Sequence, residues 1–276
     1  MMGAICGDVS GSIYEWCNIK HKPERGSLVL GDEHVTDDSV MTCAVACGIR
    51  EGLLSVPKWW MYSKKHQNKI KECIRVSAID YGKTYPRAGY GSTFFMWLTS
   101  SEYKPYQSLG NGSAMRVSYA GWVARSLREA EKLAEISAAI THDHPEGIKG
   151  AKAVAGCIFL LRSGKGKEDI LRYASKYYDL SFTLDEIRPT YKFNATCPGS
   201  VPQAIKAFLE GEDFEDVLDC AISIGGDSDT IAAIAGSIAE VMYPIPEDLL
   251  SRVKKRMDLY LSSTISKAAK FAREII

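Results

Sequence analysis

The chain has 276 residues, of which 46% are apolar and 25% charged. These are the proportions of an ordinary globular protein close to the upper size for one hydrophobic core. Lys plus Arg and Asp plus Glu are both 34, so the formal net charge is zero, whereas a general nucleic-acid or membrane-surface binder would carry a basic excess. No apolar run reaches the length of a membrane span, and Asp8 interrupts the first apolar stretch too early for a secretory signal. The eight cysteines are scattered and none forms a C-x-x-C pair, so free thiols in a reducing cytoplasm are expected.

In chain order, residues 3–14 are small, apolar and glycine-bearing and read as a buried helix ending near Glu15. A helix C-terminus is a poor place for a negative charge, because the macrodipole is negative there; Glu15 is therefore a candidate for a site with a compensating cation. Residues 16–35, with Pro23, Gly26 and Gly31, read as a loop, and 38–54 as a clear helix. Residues 64–81 form a helix whose basic face (Lys64, Lys65, Lys69 and Lys71) reads as solvated surface. Arg87 to Ser92 is a glycine-bearing loop before an aromatic helix over 93–98, and Gly110 to Arg116 is a similar loop before another helix. Loops of this kind can present backbone N–H groups to phosphate. Gly112 is expected to permit close approach of a ligand and a positive φ.

Residues 121–139 carry apolar side chains at helical spacing and read as one helix. Thr141 to Gly147 holds two histidines and two acids, but Pro145 breaks the spacing a metal site would need, and a loop histidine more commonly caps or hydrogen-bonds. Helices are expected over 150–163, 167–178, 200–210, 214–223, 230–242 and 246–274. Strand-like alternation is almost absent, so the expected fold is all-α, a single-domain multi-helix bundle spanning 1–276.

Two short acidic stretches organise the functional reading. Gly225-Gly226-Asp227-Ser228-Asp229-Thr230 and Thr36-Asp37-Asp38-Ser39 each precede an apolar helical run. One Asp or Thr there is an ordinary N-cap. Two carboxylates and a hydroxyl exceed what a cap needs, and burying them uncompensated is costly. No Lys or Arg lies between Ala207 and Pro246, so the compensating cation is not local in sequence. Brought together, the two turns offer four carboxylates and two threonine hydroxyls, hard oxygen donors suited to Mg²⁺ or Mn²⁺ and to a pair of ions.

With these stretches side by side, the sequence resembles the ADP-ribosylglycohydrolase family, which includes dinitrogenase reductase-activating glycohydrolase and the ADP-ribosyl-acceptor hydrolases. The resemblance runs from Gly3 to about Pro244. It is carried by Gly3 to Asp8 leading to Tyr14-Glu15, by Thr36 to Ser39, by Gly110 to Arg116, by Thr141-His142 with Glu146-Gly147, and by Gly225 to Thr230. Ser39 and Ser228 stand where many members have Thr.

The resemblance implies an all-α bundle of the ADP-ribosylglycohydrolase type with two Mg²⁺ (or Mn²⁺) ions held by Thr36, Asp37, Asp38, Asp227, Asp229 and Thr230. It implies that ADP-ribose lies across the loops Gly89-Tyr90-Gly91-Ser92-Thr93 and Gly110-Asn111-Gly112-Ser113. Ser108, Met115 and His142 line the same pocket, and Tyr103 or Tyr106 stacks on adenine. Glu15 and Asp38 are the candidate catalytic carboxylates. The implied reaction is hydrolysis at the anomeric carbon of the distal ribose, releasing ADP-ribose from an arginine, a serine, a nucleic-acid base or a small O-linked ester. Tyr14-Glu15 resembles the relatives that cleave O-linked ADP-ribose.

The expected partner is an ADP-ribosylated protein or other ADP-ribosyl conjugate, with nucleic acid only as a modified substrate and no membrane. A monomer is the expected state. The alternatives are a two-metal nucleotide phosphohydrolase, a non-catalytic ADP-ribose-binding module and a purely structural helical protein.

Overall fold

The computed structural model describes residues 1–275. Its helices are α1 (Met2–Gly11), α2 (Asp37–Leu54), α3 (Lys64–Thr84), α4 (Ser92–Thr99), α5 (Gly112–Met115), α6 (Ser118–Val123), α7 (Leu127–Ala138), α8 (Pro145–Arg162), α9 (Lys167–Ala174), α10 (Leu184–Ile187), α11 (Cys197–Glu210), α12 (Phe214–Ser223), α13 (Ser228–Ala239), α14 (Glu247–Lys254) and α15 (Leu259–Ile275), with a 3₁₀ turn at Trp60–Tyr62. Among the described residues there is no strand, only an isolated bridge between Gly110 and Thr196. The fold is all-α, built around one continuous hydrophobic core. No helix among the described residues is long and apolar enough to cross a membrane.

The centre of the bundle is the contact between α1 and α13. Gly3, Gly7 and Gly11 recur every fourth residue and so lie on one face of α1. A Cβ on Gly7 would lie 2.0 Å from the Ala232 carbonyl oxygen, and one on Gly11 would lie 2.5 Å from Asp229 Cα. Only glycine lets the two backbones meet this closely. The same stripe brings the end of α1 to the start of α13, where the carboxylates are.

Two long expected helices are broken. Residues 121–139 divide between α6 and α7, because Ser126 takes extended backbone and its hydroxyl accepts from Glu129 N–H as an N-cap. Residues 246–274 divide between α14 and α15, where an Asp258 carboxylate oxygen accepts from Leu261 N–H at 2.9 Å. In both places a side-chain acceptor offers the backbone a new helix start that competes with continuation. The first helix also stops at Gly11, with Tyr14 N–H bonded to the Gly11 carbonyl in a following turn. Glu15 thus lies beyond the helix, and the helix dipole is not what acts on it.

Candidate active site

The two acidic turns meet. Thr36 is the N-cap of α2, its side chain accepting from Asp38 N–H, which leaves Asp37 and Asp38 unused as caps. The turn before α13 depends on Gly225 and Gly226, at φ 70° and 77°. Asp227 holds the N-cap position of α13 without capping it; its carboxylate instead accepts from Asn111 Nδ2 at 2.7 Å. Thr230 Oγ1 donates to Asp38 Oδ2 at 3.1 Å and joins the two turns directly. Asp38 Oδ1 is buried with no partner.

Asp8, in the buried interior of α1, completes the arrangement. Its carboxylate accepts from Thr36 Oγ1 at 2.6 Å and from the N–H groups of Thr36 and Ser39 at 3.0 Å each. Carboxylate oxygens of Asp8, Asp38 and Asp229 lie within 4.8 Å of one another, and so do those of Glu15, Asp227 and Asp229. Asp8 is the functional residue that the site assignments of the sequence omit. The available signal was an acid inside an otherwise small and apolar buried helix.

This crowding shapes the electrostatics. Burial pushes Asp8, Asp38, Asp227 and Asp229 above the usual carboxylate range, and neighbouring carboxylates push Asp38 and Asp229 well above it. Asp37 rises to about 8 through burial and the charges of Asp8 and Asp227. Glu15 rises to about 7 through burial and the charge of Asp227. Like charges this close disfavour simultaneous ionisation. An unpartnered buried oxygen, hard donors and unneutralised negative charge together fit divalent cations of the Mg²⁺ or Mn²⁺ type.

The carboxylates border a cavity of about 500 Å³. Glu15, Asp37, Asp38, Asp227, Asp229 and Thr230 line it together with Gly89 to Thr93, Tyr106, Ser108, Gly110 to Gly112, Met115 and His142; Asn111 and Gly89 lie directly against Asp227 and Asp37. Three expected residues do not line it. Thr36 is turned to Asp8. Ser113 is fully buried and donates to the Gly147 carbonyl at 2.7 Å.

Tyr103 packs edge-on against Trp97 with Arg75 and Lys83 over its ring, so of the two tyrosines only Tyr106 lines the cavity. Gly112 does not take a positive φ; its constraint is space, since a Cβ there would lie 3.0 Å from His142 Nε2. Trp16, Phe193, Met41, Phe94, Ala195 and Arg116 also line the cavity, and sequence reasoning did not assign them. Trp16 and Phe193 stack at 4.8 Å at its exposed edge. They come from separate loops, so no local pattern marks them as a pair.

The scaffold is all-helical and gathers carboxylates able to hold ions beside a pocket lined by glycine loops. The chain belongs to the ADP-ribosylglycohydrolase family, whose model matches residues 1–274. It is 26% identical to human ADP-ribosylhydrolase ARH3, over 88% of this chain and 84% of that protein, and 26% identical to the mouse protein, over 88% and 82%. It is also 34% identical to an uncharacterized protein of Archaeoglobus fulgidus over 52% of this chain, a match spanning about half of that relative (53%).

A solved structure of an ADP-ribosylglycohydrolase-related protein complex covers 100% of this chain and 97% of its own at TM-score 0.64 and 18% identity, a likeness of fold. The protein is an enzyme, a hydrolase of ADP-ribosyl bonds.

Proposed function

We propose that the enzyme is a metal-dependent hydrolase that frees ADP-ribose from a modified acceptor by cleaving the bond at the anomeric carbon of the distal ribose. The observation that carries this reading is one cavity lined both by the carboxylates and by the glycine loops. Asp37, Asp38, Asp227, Asp229 and Thr230 would hold two Mg²⁺ or Mn²⁺ ions. Thr36 would join them through its remaining lone pair, with Asp8 accepting its proton and so orienting it. When bound, the cations supply Lewis-acid chemistry and keep the surrounding carboxylates ionised.

The chain's own residues do the rest. The loop at Gly89 to Thr93 and the N–H of Gly112 face the diphosphate and ribose; the N–H groups of Gly110 and Asn111 are already bonded to Ser108 Oγ and the Ala195 carbonyl, so those residues shape the pocket and do not donate backbone N–H to the ligand. Tyr106 packs on adenine. Glu15 stands at the edge of the carboxylates, open to the cavity, where it acts as general acid or base on water and the leaving group. Asp38 is the alternative for that role. Eight cysteines without a disulfide fit a reducing cytoplasm.

The test is incubation with ADP-ribosylated arginine, serine and nucleic-acid substrates, with and without EDTA, following free ADP-ribose and inorganic phosphate. Release of ADP-ribose that stops with EDTA and returns with Mg²⁺ or Mn²⁺ is expected. Phosphate release in its place would transfer the site to phosphohydrolase chemistry.

A further inference from the structure

The cavity wall also contains a buried cation with no paired anion. Arg116 is 1% exposed. Its Nη2 donates to Thr141 Oγ1 at 2.7 Å and to the Ser137 carbonyl at 3.4 Å, and among the described residues no carboxylate pairs with it. Thr141 Oγ1 is also 2.7 Å from His142 Nδ1. His142, itself 5% exposed, turns Nε2 to the loop that lines the cavity, since Cβ atoms on Gly112 and Gly110 would lie 3.0 and 3.3 Å from it. Burial and the charge of Arg116 hold its imidazole well below the usual histidine range, so the ring is neutral.

One of these directions is fixed by the inventory of donors: a guanidinium only donates, so the Thr141 oxygen accepts from Arg116. With one lone pair of the oxygen so occupied, the hydroxyl's own proton is available to Nδ1, 2.7 Å away. A neutral imidazole carries one N–H, and if Nδ1 accepts, that hydrogen sits on Nε2. The positive charge of Arg116 favours the same choice, because it repels an N–H at Nδ1 and attracts the lone pair.

We propose that Arg116 and Thr141 are positioning residues that fix His142 as an Nε2–H donor beneath the Gly110 to Gly112 loop, aimed at an anionic oxygen of the ligand. That the anion is the diphosphate of ADP-ribose rests on the function proposed above; the direction of the relay does not. Without the relay, a neutral ring could equally turn a lone pair toward the anion and repel it. Arg116 adds a fixed positive charge behind the ring, in a setting where its partner arrives with the ligand.

Nitrogen-15 correlation spectra of the imidazole rings test this on the whole chain. It has only five histidines, and His142 is assigned by loss of its signals in His142→Gln. Nε2 protonated and Nδ1 bare is the expected pattern in the parent. Thr141→Val is expected to mix the tautomers and weaken ADP-ribose binding by roughly tenfold, the scale of one hydrogen bond. Thr141→Ser keeps the hydroxyl and should restore both. A parent His142 protonated at Nδ1 overturns the relay whether or not the valine variant folds, as does a folded Thr141→Val with parental affinity. A parent that shows the expected tautomer but binds no ADP-ribose upholds the relay and removes the diphosphate as its target.

Discussion

Two groups of residues at the site solve opposite electrostatic problems. One gathers Asp8, Asp37, Asp38, Asp227 and Asp229 against Glu15 with no basic partner, and every one of these groups is pushed above its ordinary range by burial. The other buries Arg116 with no acid and holds His142 neutral beside it. Each group is unfavourable alone, because an uncompensated buried charge costs several kcal/mol, on the order of magnitude seen when one partner of a buried pair is removed. Under the function proposed above, each is complementary to half of one ligand system, cations at the first and a diphosphate at the second. Strain that folding leaves unrelieved marks where binding relieves it.

The comparison breaks most severely at Glu15. Glu15→Gln keeps size and hydrogen bonding but cannot transfer a proton, so turnover is expected to fall about a hundred- to ten-thousandfold. ADP-ribose affinity, measured by calorimetry, should change by only a few-fold, since the loops and the remaining acids are intact. Turnover close to the parent's would move the acid/base role to Asp38.

In the same group, Asp37→Asn combined with Asp229→Asn removes one charge from each acidic turn. Titration with Mn²⁺ should show affinity weakened at least about a hundredfold, beyond what loss of an outer partner produces, while circular dichroism reports an intact fold. Equal Mn²⁺ affinity in variant and parent would dismiss the shared ion centre. Asp8→Asn probes the support behind that centre. It still offers one oxygen but cannot satisfy Thr36 and Ser39 as a carboxylate does, so a loss of about ten- to a hundredfold in Mn²⁺ affinity is expected.

The other group is sharpened by Gly112→Val. Its β-carbon enters the space 3.0 Å from His142 Nε2, and ADP-ribose affinity should fall at least about tenfold while Mn²⁺ affinity holds. If Mn²⁺ binding falls in parallel, the two groups are not separable.

Asp219, on α12 and outside the cavity lining, is a control for buried acids without a ligand. Burial and the charges of Glu215 and Asp216 push it up to about 7. Because its folded pKa is raised, its ionisation opposes folding. That penalty is absent below the unfolded value near 4, grows from there to about 7, and is constant above. Asp219→Asn should therefore gain about 1–2 kcal/mol over the parent at pH 8, allowing for Lys22 and Arg25 nearby, and the gain should shrink toward pH 4. A gain that persists unchanged at pH 4, read by urea denaturation, would show that the charge is not its source.

Local chemistry alone determined a good deal of this protein. Apolar spacing without strand alternation made the helices legible, and the excess of acid at Thr36 to Asp38 and Asp227 to Thr230 marked both turns as more than caps, since helix periodicity and capping depend on neighbours within a few residues. Even the misjudged breaks had local signatures, in Ser126 and Asp258.

What tertiary structure decided is what depends on residues far apart. Asp8 is an odd acid in an apolar helix until the glycine stripe sets α1 against α13 and turns its carboxylate to Thr36 and Ser39, 28 and 31 residues away. Tyr103 and Tyr106 are indistinguishable in sequence, yet packing sends one to Trp97 and the other to the cavity. Trp16 and Phe193 acquire a common surface only where two loops close. The Arg116, Thr141 and His142 relay likewise exists only once α5 and the turn after α7 are packed together. A hydrogen bond depends on position to within a few tenths of an ångström, and for partners distant in the chain only the packed bundle supplies that position.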